Sequence, residues 1–443
     1  MTDLLLGIDV GTSACKAAVV DLDGIERAHG QVPTPWTTVP TGAEVDPHAL
    51  FAAAAEAASQ AIDQAPEGRI AAIGVTSMAE AGVLLDGAGE ILHPAVAWYD
   101  ARGEGEARLL ARELPEFVER TGLPPTSLCT LAKLRHLGTR RAARWLNVAE
   151  WIVHLLGGHQ VAEVSLASRT GLLDLDARAA YDEALAWASL PPGLLPDRVT
   201  GDTPAGRSDG VALAGTEGAT LAVAGHDHLV AGVGVGVAAP GDVLDSCGTA
   251  EALVRVVAPP LDEPARRRVV TAGMSVGWHV LAGRQALLAG LWSGMSLREV
   301  LDALGVGEAG RDELDAGALA IAPGDAPALD LHLHRLERPQ LQLPDAPPAA
   351  VWRAAIDTVA TEVERNIAEI DAIAGPHTKV VVTGGWARDR AVLEAKRRLG
   401  AIETPAVVEA GCRGAALLAG VAAGAYPSAD ALPAVRDTAK EPA

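Results

Sequence analysis

Residues 4–10 (LLLGIDV) form an apolar run that leads into Asp9-Val10-Gly11-Thr12, and residues 15–20 (CKAAVV) form a second. Asp21-Leu22-Asp23-Gly24 is a strong turn signal, and 25–32 return as a third strand. The start of the chain therefore predicts an antiparallel meander with a Gly-Thr-Ser tip at its first turn. A helix follows: Asp46 reads as its N-cap, Pro47 as its first residue, and the Ala-rich run extends to Gln64 before Pro66 stops it. Residues 70–76 (IAAIGVT) and 82–86 (GVLLD) read as strands, helical pattern dominates 103–157, and 164–176 read as a polar turn entering a short strand.

The pattern then restarts. Residues 220–224 (TLAVA) predict a strand ending in Gly225-His226-Asp227-His228, and 241–254 predict strand, Gly-Thr turn, strand. Short strands are expected over 269–282. A long helix is expected from about 350 to 374, closed by Gly375-Pro376. Residues 378–383 predict a buried strand ending in Gly384-Gly385, followed by a helix near 387–399, a strand near 406–408 and a last helix near 411–424. A Pro/Asp-rich stretch at 323–349 reads as a surface excursion. Two halves echo each other, with Asp9-Val10-Gly11-Thr12 matched by Asp245-Ser246-Cys247-Gly248-Thr249. The expectation is an α/β protein of two duplicated domains, 1–215 and 216–443, around a central cleft where a small ligand would sit.

A length of 443 residues suits two domains. The formal net charge of -21 argues against nucleic acid or an anionic membrane as partner. The longest uncharged stretch, 414–428, is shorter than the roughly 20 residues of a membrane span, and no leader pattern opens the sequence, so a soluble cytoplasmic protein is expected. The four cysteines, Cys15, Cys129, Cys247 and Cys412, form no C-x-x-C pair and read as buried free thiols.

The candidate chemistry collects at the turns. Glycine lets a backbone approach a phosphate closely, and the hydroxyls of Thr12, Ser13 and Thr249 add donors to an anion nest. One such turn would read as an ordinary hairpin; two at matching points suggest a shared anion. Asp9 beside the first turn suits a magnesium ion, which takes carboxylates, waters and substrate phosphates, although a hairpin-capping aspartate would read the same. Asp227 follows a strand end, where catalytic side chains gather in α/β folds, and a carboxylate there could take a proton from an alcohol. His226 and His228, two residues apart on an expected strand, would share one face, but no further His or Cys nearby completes a metal site. Gly384-Gly385 leaves room for a flat ring against the backbone, as would a plain strand-to-helix turn.

Six blocks resemble, in order, the FGGY family of carbohydrate kinases within the actin-like (ribonuclease H-like) ATPase superfamily. They are GIDVGTSACKAAVVDLDG, the segment IAAIGVTSMAEAGVLLDGAGEILHPAVAWYDAR, SLASRTGLLDLDAR, AGHDHLVAGVGVG, DSCGTAE, and VVVTGGWARDRAVLEAKRRLG followed by EAGCRGAALLAG. The resemblance implies ATP and Mg2+ as cosubstrate and cofactor, with Asp227 as catalytic base and Asp9 and Asp227 at the metal. It implies Gly11, Thr12, Ser13 and Lys16 at the phosphates, Gly248 and Thr249 at the terminal phosphates, and Gly384, Gly385 and Arg388 near the nucleoside. Met78, Ala79, Glu80, Trp98, Asp100, Asp227 and His228 would face the acceptor. Met78-Ala79-Glu80-Ala81 departs from the Gln-x-His-Gly of many members; Glu80 is similar to a substrate-binding Glu of glycerol kinases, but the Arg usual before it is Ala79. His228 stands where Gln or Asn is common.

The expected activity is phosphorylation of a hydroxyl of a neutral pentulose, hexulose or polyol. A sugar acid is disfavoured beside Glu80 unless an arginine pairs with it. A non-kinase ATPase of the same fold would need no acceptor segment, and a catalytically dead sugar-binding paralogue is opposed by intact Asp9 and Asp227. The resemblance admits a homodimer, but no exposed apolar stripe marks one.

Overall fold

The computed structural model of the chain describes residues 2–138, 140–322, 324–334 and 340–435. The chain divides into two compact units. The first takes in Met1–Ala238, Ala258–Ala286 and the segment from Ala406; the second holds Ala239–Val257 and Leu287–Pro405.

In the first unit five strands lie in the order Thr220–His226, Arg69–Ser77, Asp3–Val10, Ala14–Asp21, Glu26–Pro33. The first three run parallel and the last two return antiparallel, with Asp9 opposite Lys16 and Val10 opposite Cys15. Successive residues of a strand face opposite sides, so Leu4, Leu6, Ile8 and Val10 bury toward the helix Pro47–Gln64, whose Leu50, Ala54, Ala57 and Ala61 meet the sheet. Each fully buried Leu or Ile contributes about 1.5–3 kcal/mol. Asp46 caps that helix as expected, accepting from His48 N–H at 2.8 Å. Leu5, Val20 and Ala72 bury on the other side against Cys412, Ala416 and Leu417 of the helix Ala410–Ala422. Glycines permit that contact: a Cβ at Gly7 would run into the Cys412 backbone, and one at Gly74 into the Ala415 carbonyl.

In the second unit Glu251–Val257, Asp242–Cys247, Lys379–Thr383 and Ile402–Glu403 lie side by side in that order. The first pair is antiparallel and the other two pairings are parallel. This repeats the pattern of Ala14–Asp21, Asp3–Val10, Arg69–Ser77 and Thr220–His226, so the expected duplication holds strand for strand. The helix Pro348–Ala374 buries Val351, Trp352, Ala355, Ile356, Val359, Val363, Ile367 and Ile370, spaced three and four apart as one helical face requires.

Several details depart from expectation. The division expected at 215/216 is displaced: Thr220–His226 pairs with Arg69–Ser77, and the helix Ala410–Ala422 returns to the first sheet, so Asp227 and the C-terminal helix belong to the first unit. The stretch 103–157 contains a strand, Ala142–Asn147, antiparallel to Gly82–Asp86; so short an apolar run carries no period that separates strand from helix. Residues 269–282 open on the end of a helix, Glu263–Thr271, before the strand Ser275–Trp278. The strand near 406–408 is replaced by Ile402–Glu403. The 323–349 excursion falls partly on 323 and 335–339, outside the described residues; the described residues between 324 and 347 form no helix or strand. All four cysteines are free and buried.

Candidate active site

Three parallel strands of the first unit end together at Val10, Ser77 and His226, and the residues at these ends carry the site. After Val10 the chain turns through Gly11-Thr12-Ser13. Thr34 and the indole of Trp36 clamp this turn from below: Thr34 Oγ1 donates to the Gly11 carbonyl (2.7 Å) and Trp36 Nε1 to the Thr12 carbonyl (2.7 Å). Lys16, opposite Asp9 in the hairpin, pairs with Glu409 at 2.9 Å, just before the C-terminal helix. Burial works against the Lys16 ammonium, but the hydrogen bond and charge of Glu409 outweigh it and hold the group above its ordinary range.

Asp227 is the first residue of the helix Asp227–Gly234. The strand end before it is fixed from three sides. Thr76 Oγ1 donates to the Gly225 carbonyl (2.7 Å), the His226 N–H donates to Ser165 Oγ (3.0 Å), and that hydroxyl donates to the buried Glu163 (2.5 Å). Gly225 has φ of 115° and Val280, Ser165 and Glu163 crowd its α-carbon, so no other residue fits. Asp227 Oδ1 accepts from the His228 N–H at 2.7 Å and lies 3.3 Å from His226 Nε2. His226 ends the strand and His228 opens the helix, so the two do not share a strand face as expected; their rings still meet edge-on at 5.5 Å. Burial holds both imidazoles below their usual range, hence neutral.

The carboxylates of Asp9 and Asp227 are each pushed up to about 7. For Asp9 burial is the main cause and the charge of Asp227 adds to it, with Lys16 opposing. For Asp227 burial leads, the His228 N–H opposes, and Glu80 adds. Asp9 Oδ1 is enclosed and meets no hydrogen-bond partner among the described residues. Gly411 is forced at the other oxygen, since a Cβ there would strike Asp9 Oδ2. An orphaned carboxylate oxygen beside a second carboxylate is a donor set that a hard divalent cation satisfies.

Glu80, which the resemblance assigns to the acceptor, lies in the left-handed region at φ 59°. Arg169, from the SLASRTG block, donates through Nε to Glu80 Oε1 at 2.7 Å and through Nη1 to Ser275 Oγ at 2.6 Å. Met78 and Ala79 are buried within the hydrophobic core of the first unit. Trp98 links the two sides, its indole donating to Thr12 Oγ1 at 2.9 Å. The buried Lys133 donates to the Trp98 carbonyl (2.8 Å) and to Leu128 (3.3 Å); burial pushes its ammonium down to about 8 against the charges of Glu80 and Asp100. A cavity of about 20 Å³ opens here, lined by Glu80, His93, Thr130 and Lys133 among others.

Asp100 is not where an acceptor could reach it. It is 0% exposed, and its oxygens are taken by Arg102, Thr41 Oγ1 and the Ala43 N–H. Arg102 also reaches Glu44, so Asp100 organises the loop behind Trp98 instead of facing a ligand.

In the second unit Gly248-Thr249 turns between strands whose last pair is Cys247 and Glu251. Gly384, at φ 96°, lies so close to the Cys247 carbonyl that a Cβ would collide with it. Gly385 has open space beside it, and Arg388 is exposed. Trp386 packs into the unit beneath Arg311, whose guanidinium lies 4.2 Å from the ring centre. Arg169, Lys133, Glu163, Glu409 and Lys396 were missed by sequence reasoning. Arg169, Lys396 and Glu409 had a signal, their place in blocks already singled out; Lys133 and Glu163 had none.

Among the described residues no helix is long and apolar enough to cross a membrane. The family model for the N-terminal domain of the FGGY family of carbohydrate kinases matches residues 4–234. A gluconokinase of Bacillus subtilis is 26% identical over 98% of this chain and 90% of its own length. A xylulose kinase of Streptomyces rubiginosus is 30% identical over 96% of this chain and 89% of its own. The crystal structure of a xylulose kinase from Rhodospirillum rubrum superposes with a TM-score of 0.86 at 25% identity, covering 98% of this chain and 92% of that one. The duplicated sheets are those of the actin-like ATPase fold. The chain belongs to the FGGY family of carbohydrate kinases and is an ATP-dependent phosphotransferase.

Proposed function

We propose that this enzyme transfers the terminal phosphoryl group of ATP to a hydroxyl of a small neutral sugar or polyol, a pentulose or hexulose above all, with Asp227 as general base. The observation that supports this reading is the Asp227 carboxyl, at the start of the helix that follows Thr220–His226, which interacts through its charge with both Asp9 and Glu80 and is pushed up to about 7. The acceptor oxygen attacks the γ-phosphorus, the bond to the β,γ-bridging oxygen breaks, ADP leaves, and the hydroxyl proton passes to Asp227 late in the step. This reading assigns Thr12, Ser13 and Lys16 to the phosphates, Gly248 and Thr249 to the terminal phosphates, and Gly384, Gly385 and Arg388 to the nucleoside. Asp9, with Asp227, would hold Mg2+, which when bound neutralises phosphate charge. ATP as donor suits a cytoplasmic location.

Glu80 and His228 would bind the acceptor's hydroxyls, and the Trp98 ring, its N–H given to Thr12, would pack against the acceptor's carbons. One observation favours a second acceptor class. Arg169 pairs with Glu80, which is the condition under which a sugar acid becomes admissible, and one relative is a gluconokinase. A panel of ketoses, polyols and aldonates assayed with ATP and Mg2+ separates the two. Turnover of neutral acceptors is expected, and activity confined to aldonates would refute the neutral reading. Chelation of Mg2+ should abolish turnover.

A further inference from the structure

Beneath the Gly248-Thr249 turn lies a charge cluster that the transfer step does not use. Asp245 and Glu251, on the two strands that enter and leave the turn, are 0% and 1% exposed. Lys396 ends the helix Arg390–Lys396, which follows the glycine pair, and is itself 1% exposed. Its ammonium is 2.7 Å from Asp245 Oδ2 and is bonded to Glu251 Oε1. Ser293, at the start of the helix Ser293–Leu304, donates to the other Glu251 oxygen. The same helix start closes on the turn: the Met295 N–H donates to the Thr249 carbonyl at 3.0 Å, and a Cβ at Gly294 would strike the Gly248 carbonyl.

Asp245, Cys247 and Glu251 bring potential ligand atoms within 4.8 Å of one another, as a metal site would, but the Lys396 ammonium already bonds two of the three. Two carboxylates share one cation directly under a turn meant for anions. Burial and the charge of Asp245 push Glu251 up to about 7 even though Lys396 opposes.

We propose that Lys396 is a positioning residue for the nucleotide: it ties Asp245 and Glu251 together, fixes the shape of the Gly248-Thr249 turn, and cancels negative charge that would otherwise repel a phosphate chain. This rests on reading that turn as a phosphate-holding loop. Breaking a buried pair leaves its partner charge uncompensated, and the cost falls on whatever anion must approach.

The test is steady-state kinetics with ATP and acceptor varied separately, on Lys396→Met, Glu251→Gln and the double variant. Lys396→Met should raise KM for ATP by about tenfold or more and leave KM for the acceptor within about twofold. The double variant, with one carboxylate fewer, should recover much of the lost ATP affinity. An unchanged KM for ATP, a parallel rise in both KM values, or no recovery in the double variant overturns the proposal. Should Lys396→Met fail to fold by circular dichroism, Glu251→Gln decides: a lower KM for ATP with an unmoved acceptor KM supports the role, and an unmoved KM for ATP refutes it. A wild-type enzyme that phosphorylates sugars beside a Lys396→Met variant with normal ATP kinetics sinks this role alone. A wild-type protein with no ATP-dependent transfer to any sugar overturns the proposed activity and this role together.

Discussion

Asp9 and Asp245 stand at matching places, each on a strand that enters a glycine–threonine turn and runs parallel to a neighbour on its other side. Their surroundings differ. Asp245 is sealed in and neutralised by Lys396 from its own unit. Asp9 has an oxygen with no partner among the described residues, a second carboxylate beside it, and a lysine turned toward Glu409. Matching places in a duplicated framework thus hold one aspartate inside a buried ion pair and leave the other with an oxygen that no described residue satisfies.

The largest effect expected from breaking this contrast is at the base. Asp227→Asn should lower kcat by about 10²–10⁴ while the melting temperature holds or rises, because the removed charge is a half-buried one that Asp9 and Glu80 repel. A variant with normal turnover would end the assignment. Next come the two matched aspartates. Asp245→Asn should destabilise the protein by about 3 kcal/mol in urea unfolding, because it leaves a buried ammonium short of a partner. Asp9→Asn should lower kcat by at most the factor expected at Asp227 and leave stability equal or higher in the absence of ligands. Equal losses of stability in both would erase the distinction.

A smaller effect follows from Glu163, which braces the strand end before Asp227. Burial is the main cause pushing it from 4.5 up to about 8. Below its unfolded pKa both states hold the proton and nothing is lost. As pH rises toward about 8 the unfolded chain gives up the proton more readily, so stability should fall across that window and level off above it. Glu163→Gln should flatten that slope in melting curves taken from pH 5 to 8.5. The smallest effect is Trp98→Phe, which removes the donor to the Thr12 hydroxyl and should cost about 1 kcal/mol, roughly fivefold in kcat/KM, with no change in melting temperature.

Much of this contrast could be read from the chain. The strand–turn–strand echo matched Asp9 with Asp245, and a strand end singled out Asp227, because apolar runs bounded by Gly, Thr and Asp are local signals. Glu80 followed from its segment. The partners could not be read in the same way. Arg169 meets Glu80 across 89 residues and Lys396 meets Asp245 across 151, and neither pairing leaves a periodic trace. Asp100 misled because a carboxylate beside Trp and Arg looks the same in sequence whether it faces a ligand or closes a loop. The unit boundary misled for a topological reason: the last helix returns to the first sheet.

That return has a consequence for how the molecule comes into being. Lys16 and Glu409 lie 393 residues apart, and the backbones of Gly7 and Gly74 lie against Cys412, Ala415, Ala416 and Ala419 of the helix Ala410–Ala422. A nascent chain leaves one face of its first sheet uncovered until Ala410–Ala422 has been made. A prematurely terminated product would therefore lack the floor beneath Asp9, and the cell would meet it as an unfinished protein instead of a stray nucleotide hydrolase.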